Sequence, residues 1–578
     1  MSTIGRSRRI IRLLLRLFTA LALLLAVALA ILAWWVPRHG EAWLDRTLRA
    51  RITRIVDDAS VEGYHFSMEK LETDLQTQSL VISGVELDFP PALMDSLRTG
   101  AVQYLFAASA ERIELRGLSF WRLLLKSEFK LQAFELQGPR INYLLGRGKV
   151  DLADPFARIG GRGAASIDVL GADTLVVRGA MATVQDLGER LPQLQLVGLD
   201  LESRDVRVST GQRHSGVHVN VGTAELRFES ASGQLADGDA IRVDRVQLSL
   251  GKRSGRVFNF QHVPQAVSTD TVRRTVLDLR MDSLVLSNLD VDLLISRQVL
   301  HLGHATVHGL RVEASLDKTL APEPSRVKLL PPAALLGIGF PICVDTLSIQ
   351  NAHATYRERD GETGQWGIAP FSELQGEFIH ISNEPEVILE HPRITGHATG
   401  LLFEIAPVTL NYAAELDGSQ DFKIVADVSD MELVAINPVS RSLLRIQVNG
   451  GRLDSVHLTM EGNERKAKGL MKIRYTDLLV RVEPGTPRAV HNSMFGNVIE
   501  TMLKETYGGG LTADRERKYS IDRDPDRAIT TYLWHAIREG LARNLAPEAW
   551  DRMRLMLRVD AKERREQRAR RRALKRME

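Results

Sequence analysis

The chain has 578 residues and a net charge of +3, and this charge is unevenly distributed. The first sixteen residues carry +5 and residues 551–578 carry +7, so the segment between them carries −9. An acidic body argues against nucleic-acid binding, which needs a basic stripe on the folded surface. The single cysteine, Cys343, excludes an intrachain disulfide and any metal site built from several cysteines.

Residues 13–36 form the most hydrophobic stretch of the chain, LLLRLFTALALLLAVALAILAWWV. As a helix, residues 17–36 would extend about 30 Å, the thickness of the hydrocarbon core of a bilayer. Five arginines precede residues 17–36 without any acid, and two tryptophans lie at the far end, which is typical of positive-inside orientation with an aromatic belt. We predict a single transmembrane helix over 13–36, with residues 1–12 in the cytoplasm and most of the chain exported. The residues expected to anchor it are Leu17, Leu25, Trp34 and Trp35.

A cleaved signal peptide is the alternative for the same stretch. Ala28 and Ala30 provide a passable small-residue cleavage site. The apolar run is nevertheless longer than the hydrophobic region of an ordinary signal peptide, and it continues past that site into the tryptophans. The pattern therefore favours the uncleaved anchor.

From about Val61 to Val482 the sequence shows short alternating runs of Val, Leu and Ile separated by Gly, Asn, Asp or Pro. This pattern is typical of consecutive β-strands. A loose repeat is visible, because residues 173–184, 282–293 and 345–356 follow one template. Since no crossover helices are evident, we expect an antiparallel sheet. Residues 91–106 are expected to form a helical or loop insertion.

Apolar residues occupy the third and fifth positions of the repeat, on one face of a strand. A Gly or Asn follows at the seventh position, and the apolar positions then resume with the opposite parity. That residue must therefore mark a β-bulge or a tight turn that restores the face, and the sequence leaves both open. An apolar face of this kind must be covered, either by closing as a sandwich or by holding lipid in a groove. The residues at the third and fifth positions should line this face and, in the second case, the groove: Leu175, Val177, Leu284, Leu286, Leu347 and Ile349.

The pattern changes after Val482. Apolar residues at helical spacing between Met494 and Leu503 predict one amphipathic helix. Asp526 is expected to cap a second helix, whose apolar stripe comprises Ile529, Tyr532, Leu533, Ala536, Ile537 and Leu541. We expect these helices to cover an end of the sheet, with a membrane-surface or partner-binding role as the alternative. The basic segment 564–576 is expected to be a solvated tail.

The predicted fold is therefore mainly β: a single N-terminal transmembrane helix, an elongated antiparallel β-sheet curled into a groove, and C-terminal amphipathic helices. The expected division is a cytoplasmic basic segment (1–12), the transmembrane helix (13–36), a first part of the groove (37–328), a linker (329–340), a second part of the groove (341–483) and a helical region with a basic tail (484–578).

No catalytic motif stands out in the sequence. His301, His304 and His308 invite a metal-site interpretation, but His301 would point to the opposite face of a strand from the other two. Asp522, Asp524 and Asp526 alternate as in a calcium loop, yet the diagnostic glycine and glutamate of that loop are missing. We therefore expect no catalytic residue, no metal site and no cofactor, although a bound phospholipid is compatible with the predicted groove.

Residues 110–144 are similar to the N-terminal module of AsmA-like proteins. In that module a strand ends in Gly-Leu, a Leu-Leu step and a second strand follow, and a Pro-x-Ile sequence closes it. The matching residues here are Gly117, Leu118, 123–125, 129–136 and 139–141. The N-terminal hydrophobic stretch, the repeats, residues 356–383 and the ending 472–482 fit the same family.

The resemblance implies a Gram-negative inner-membrane protein with a periplasmic β-groove. Proteins of this family are thought to move phospholipid towards the outer membrane or to assist its assembly. The expected partners are therefore the inner membrane, phospholipids, and outer-membrane or other envelope proteins, without nucleic acid. The alternative is a membrane-anchored structural or assembly factor that carries no lipid. The family offers no catalytic residue to transfer, so an enzyme is not expected.

Overall fold

The structure is a computed structural model that describes residues 64–545, except 75–76, 118–127, 147–168, 189–192, 211–216, 236–237, 266–271, 298, 323–326, 339, 362, 445 and 483–510. The predicted membrane segment, the first predicted C-terminal helix and the basic tail lie outside the described residues. Within the described ranges, no helix combines the length and the apolar character that crossing a membrane requires. This part of the chain is mainly β, as the alternating pattern predicts.

The strands of the described ranges follow one another with short connections. In chain order they are β1 (His65–Asp74), β2 (Ser79–Asp88), β3 (Tyr104–Arg116), β4 (Glu128–Gln137), β5 (Arg140–Leu145), β6 (Val169–Asp186), β7 (Gln193–Thr210), β8 (Val217–Asn220), β9 (Thr223–Phe228), β10 (Ser230–Gln234), β11 (Ala240–Val243), β12 (Arg245–Ser249), β13 (Ser254–Val263), β14 (Val272–Arg273), β15 (Thr275–Leu289), β16 (Leu300–His308), β17 (Arg311–Asp317), β18 (Ala321–Pro322), β19 (Ile342–Arg359), β20 (Trp366–Ser382), β21 (Arg393–Leu402), β22 (Ala406–Glu415), β23 (Phe422–Glu432), β24 (Ile446–Gly462), β25 (Lys466–Val482) and β26 (Leu511–Asp522).

Helices are few and mostly short. They are α1 (Pro91–Thr99), α2 (Val291–Arg297), α3 (Pro331–Leu336), α4 (Pro385–Glu390), α5 (Asn437–Leu444) and α6 (Ile529–Leu545), with a 3₁₀ turn at Leu433–Ile436. Helix α1 fills most of the predicted insertion, and α3 lies inside the segment predicted as a linker. Helix α2 begins at Val291 and so replaces the last three residues of the repeat copy at 282–293, where the template predicts continued strand.

The described chain divides into two compact units that are not consecutive segments. The first unit comprises residues up to 265, 280–307 and 337–342, and the second comprises 266–279, 308–336 and the chain from 343 onward. Each unit is built mainly from antiparallel neighbours in sequence, as a strand-turn-strand pattern favours.

Parallel pairs correct the expectation of a purely antiparallel sheet. In the first unit, β4 and β5 both pair antiparallel with β3 and parallel with β6. Gly138, with φ +57°, separates β4 from β5, so the two act as one interrupted strand. In the second unit, β17 pairs parallel with β19, and α3 lies in the connection between them. A parallel neighbour needs such a longer return path, and the strand pattern alone does not show it.

The second predicted C-terminal helix is confirmed as α6. Tyr532 and Ala536 are buried, and the other four residues of the predicted stripe pack against the same apolar cluster. The predicted cap at Asp526 is wrong, because the helix begins at Ile529 and the Ala528 carbonyl accepts its first hydrogen bonds. Asp526 instead belongs to a turn, in which its backbone amide donates a hydrogen bond of 3.1 Å to Oδ1 of Asp524.

Strand β26 was not expected from the sequence. It lies in the region predicted to be helical and pairs antiparallel with β25 from Lys466↔Asp522 onward. Its sequence, LTADRERKYSID, alternates poorly because charged residues dominate it. Tyr519 and Ala513 nevertheless point into apolar clusters. A strand rich in charge is suited to an outer position, since charges discourage further strand pairing.

Candidate functional site

One apolar row crosses the first unit from strand to strand. Leu71 on β1 stands opposite Ile82 on β2, and the row continues through consecutive registered partners. Its remaining members are Ile113, Leu136, Val177, Leu201, Leu226, Leu248 and Gly255. Because registered partners lie on the same face of a sheet, this row defines one continuous apolar face.

The burial of this face changes along the row. From β1 to β7 its side chains form a closed cluster in which Val177 is 1% exposed and Leu175 is packed at the edge. Further along, Leu284 and Leu286 are only half-buried. Leu286 extends the row, since its Cδ1 atom lies 3.4 Å from where a Cβ on Gly255 would stand. The predicted groove residues of this unit thus occupy both a closed and a partly open part of one face.

A similar row crosses the second unit, and we call its surface the inner face. Leu347 on β19 stands opposite Phe378 on β20, and the row continues to β26. Its remaining members are Gly396, Tyr412, Ile424, Met460, Gly469 and Tyr519. Ile349 begins a second row beside it, followed by Gly376, Ala398, Leu410, Ala426, Leu458 and Met471.

The opposite face of the same strands is polar, and we call it the outer face. Ser348 stands opposite Glu377, which stands opposite His397. The His397 ring and the Asn411 side chain share a hydrogen bond of 2.9 Å between β21 and β22. On β23 and β24, Asp427 and His457 make a similar contact of 2.7 Å. The second unit is therefore amphipathic across the sheet, which explains the period of two in its sequence.

Bulges keep the inner face apolar where the sequence changes parity. On β19 the register skips from Ile349↔Gly376 to Ala352↔Leu374, and Asn351 has φ +51°. On β6 the register skips after Val177, where Gly179 has φ +63°. The strands continue through both positions, so the repeat contains a bulge and not a turn there.

Helix α6 covers one part of the inner face. Tyr532 packs against Phe422 on β23, with ring centroids 6.1 Å apart and a near-perpendicular arrangement. Asn544 is fully buried and donates from Nδ2 to the Met471 carbonyl on β25 at 3.1 Å. From β19 to β22, by contrast, Leu347, Ile349 and their partners are half-buried. The inner face is thus closed towards β26 and partly open towards β19.

Glycines on the open part of the inner face make room for larger neighbours. A Cβ on Gly396 would stand 2.1 Å from Cδ1 of Phe378, and one on Gly400 would stand 2.6 Å from Cδ2 of Leu374. The Phe378 ring therefore lies across Gly396, and the Leu374 side chain lies across Gly400. Each of these large side chains therefore fills the space above a glycine that has no side chain of its own.

The inner face ends in a polar cluster on β19. Beyond the bulge, its positions are Ala352, Ala354, Tyr356 and Glu358. Glu358 is 5% exposed, and its Oε1 lies 2.5 Å from Nζ of Lys318. Its Oε2 accepts a hydrogen bond of 2.8 Å from the Tyr356 hydroxyl. Burial raises the pKa of Tyr356, and the charge of Glu358 raises it further, so the phenol stays a hydrogen-bond donor.

Other sequence candidates for chemistry lie outside these faces or are protected. Cys343 is buried, and burial together with the nearby charge of Asp345 raises the pKa of its thiol to about 11. The thiol is therefore a poor nucleophile at neutral pH. Asp524 and Asp526 belong to the turn before α6, where Asp524 lies 3.6 Å from Arg527.

Comparison with protein-family models and with curated proteins finds no match. The features that bear on function are the two amphipathic units and the polar cluster at Glu358. The predicted groove residues lie on the apolar faces described above or at their edge, and the cluster was not predicted. Its signal was present in the sequence, since the even positions after the bulge read Ala, Ala, Tyr and Glu.

Proposed function

We propose that this chain is an inner-membrane-anchored, AsmA-like protein of a Gram-negative envelope that holds phospholipid on the apolar faces of its sheet. Its role would be phospholipid transport to the outer membrane or assembly of that membrane. The observation that carries the proposal is the inner face between β19 and β22. It is apolar over several strands, is half-buried, and lies opposite a polar outer face.

The energetics of such a face suit an acyl chain. Each methylene group that leaves water contributes about 0.8 kcal/mol, so a chain lying along the face is retained without any polar contact. The polar outer face keeps the opposite side of the strands hydrated, which is required of a sheet exposed to an aqueous compartment. Backbone groups stay paired within the ladders, so lipid entry breaks no hydrogen bond of the sheet.

A second candidate function is supported by the closed part of the first unit. Val177 and its neighbours are already covered by protein side chains, as in an ordinary core. A sheet covered in this way throughout would need no lipid. The alternative is therefore an anchored structural or assembly factor of the envelope.

Site-specific photo-crosslinking separates the two functions. A photoreactive residue is placed at position 347, on the inner face, or at position 348, on the outer face of the same strand. The full chain is irradiated in cells, purified, and examined for covalently attached phospholipid by mass spectrometry. We expect capture at position 347 and little at position 348, because adjacent residues of a strand point to opposite faces.

Equal capture at both positions, or none at either, would favour the structural factor. Capture of protein at 347 in place of lipid would do the same. Native mass spectrometry of the purified chain provides an independent check, since retained phospholipid adds its own mass to that of the protein.

A further inference from the structure

Among the described residues, the polar cluster at the end of the inner face brings two cationic side chains, Lys318 and Arg273, close to one carboxylate, Glu358. Glu358 receives the Lys318 ammonium and the Tyr356 hydroxyl. Arg273, on β14, donates from Nη2 to the Lys318 carbonyl at 2.7 Å. Within the described residues, Arg273 makes no ion pair, and its buried Nε atom has no hydrogen-bond partner.

On helix α6, the charge of Arg538 interacts first with Glu539 and then with Glu358, and the charge of Lys318 acts on His535. Three acids near the cluster are each paired with an arginine. These pairs are Asp317 with Arg359 at 3.1 Å, Asp524 with Arg527 at 3.6 Å, and Glu539 with Arg543 at 2.8 Å.

A partly buried surplus of positive charge is unfavourable unless an anion offsets it. The cluster is also reachable, because the side chain of Lys318 is 39% exposed. An anion that approached Lys318 and Arg273 would gain charge-assisted hydrogen bonds from both.

The position of the cluster indicates which anion fits. Tyr356 and Glu358 continue the same face of β19 that carries Leu347 and Ile349. From Ile349 to Tyr356 the strand extends about 20 Å, compared with about 15 Å for the hydrocarbon of one bilayer leaflet. An apolar strip of that length that ends at a cationic cluster matches a molecule with an acyl chain and an anionic head.

We propose that Lys318 and Arg273 bind the phosphate group of an anionic phospholipid whose acyl chain lies along Ile349 and Leu347. This proposal depends on the proposed function, since it assigns a headgroup site to the same inner face. Glu358 holds the Lys318 ammonium in place and lowers the positive charge of the site. The site should therefore prefer a phospholipid with a net negative charge over a zwitterionic one with the same chains.

A lipid competition experiment tests this preference. The full chain in detergent is incubated with equal amounts of phosphatidylglycerol and phosphatidylethanolamine of identical acyl composition, then repurified, and the retained lipids are quantified by mass spectrometry. We expect phosphatidylglycerol to be enriched about fivefold, the ratio expected from one partly exposed ion pair. The double variant Lys318→Gln/Arg273→Gln should retain lipid with a ratio near one.

Two further variants separate recognition from folding. Glu358→Gln removes a negative charge while keeping the shape of the side chain, so it should increase the enrichment of phosphatidylglycerol. A purely structural role of the cluster predicts a decrease or no change. Lys423→Gln is the matched control, because Lys423 is an exposed cation on the outer face that pairs with Glu461, and it should leave the ratio unchanged.

The outcomes distinguish this inference from the proposed function. Lipid retained by the native chain without headgroup preference would overturn the headgroup site and leave the lipid-binding face standing. No retained lipid in any sample would overturn both. Displacement of phosphatidylglycerol by millimolar inorganic phosphate alone, with acyl chains making no difference, would assign the cluster to a soluble anion and overturn the lipid site.

Discussion

Asn351 and Gly179 hold a conformation that most residues avoid. Their φ angles are +51° and +63°, in the left-handed region, where Gly and Asn are tolerated best. Each belongs to a bulge that gives one strand an additional residue relative to its partner. These two residues therefore decide which side chains of β19 and β6 face the apolar rows.

Replacing Asn351 tests the cost of this conformation. Asn351→Val should lower the free energy of unfolding by about 1–2 kcal/mol, because a β-branched residue is disfavoured at positive φ. Asn351→Gly should be neutral or slightly stabilising. Chemical denaturation of both variants provides the measurement. If valine and glycine had equal effects, the bulge conformation would not be what this position requires.

His535 occupies an environment that disfavours its protonated form. Burial lowers its pKa, the charges of Arg538, Lys318 and Arg527 lower it further, and Asp524 acts in the opposite direction. The unfolded chain has an ordinary histidine pKa of about 6.5. The folded protein therefore binds a proton at this site less readily than the unfolded chain does.

The sign of the pH effect follows from this difference. The stability associated with neutral His535 is complete above about pH 6.5 and is lost as the pH falls through the lower pKa of the folded state. His535→Gln should therefore lose less stability between about pH 7.5 and pH 5 than the native protein does. Urea denaturation at both pH values measures the difference. The exposed His397→Gln is the control, and a slope for His535→Gln identical to that of the native protein would contradict the expectation.

At the scale of elements, α6 closes one end of the inner face. Tyr532 and Ala536 are almost fully buried among side chains of β22 to β26. Gly540 allows close approach, since a Cβ there would stand 2.8 Å from Cε of Met471. The helix is also tied through polar contacts, because Arg543 donates to the Lys518 carbonyl at 2.9 Å. This helix therefore acts as a fixed cover of β23 to β26.

Truncation of Tyr532 measures how much this cover contributes. Tyr532→Ala should cost about 3–5 kcal/mol of unfolding free energy, because it leaves a cavity between α6 and Phe422. Tyr532→Phe should cost about 1 kcal/mol, since it removes only the hydroxyl contact with the Asn463 carbonyl. Thr530→Ala, on the exposed side of the helix, should change stability by less than about 0.5 kcal/mol. Comparable losses for all three would mean that α6 is not docked as described.

At the scale of the molecule, both units repeat one design: registered apolar side chains on one face and polar ones on the other. The first unit closes its face between β1 and β7, and the second closes its face beneath α6. The half-buried positions that remain include Leu284, Leu286, Leu347 and Ile349. These positions carry the proposed lipid-binding function.

A charge on a half-buried apolar position should separate function from folding. Leu347→Asp and Leu284→Asp should each abolish lipid capture and envelope function, because a carboxylate on the path of an acyl chain must be desolvated. Since both positions are half-buried, the carboxylate keeps partial contact with water and the protein should still fold. Photo-crosslinking and a growth assay on detergent-sensitive cells provide the measurement.

Thr399→Asp is the matched control for Leu347→Asp. Thr399 is exposed on the outer face, where it stands opposite Gln375 and Thr409. The same charge placed there should leave lipid capture and growth unchanged. Equal loss of function in the inner-face and outer-face variants, or no loss in either, would contradict a lipid path along the inner face.

Much of the local structure could be predicted because it depends on neighbouring residues. The period of two, the Gly and Asn interruptions and the apolar stripe of α6 are patterns of this kind. Strand β26 was missed because its charges hide the alternation, and its inward residues Ala513 and Tyr519 have meaning only beside β25. The cap of α6 was misplaced by two residues, because the turn at Asp524 precedes the helix.

By itself, the sequence determined that the described chain is mainly β, that its strands have one apolar face, and that residues near 351 and 179 must correct the parity. Only the tertiary structure decided that this correction is a bulge, that β6 and β19 have parallel neighbours, and that Lys318 meets both Glu358 and Arg273. The physical reason is distance along the chain. Side-chain alternation is a property of each strand, whereas register, parallel pairing and charge clusters depend on partners tens of residues away.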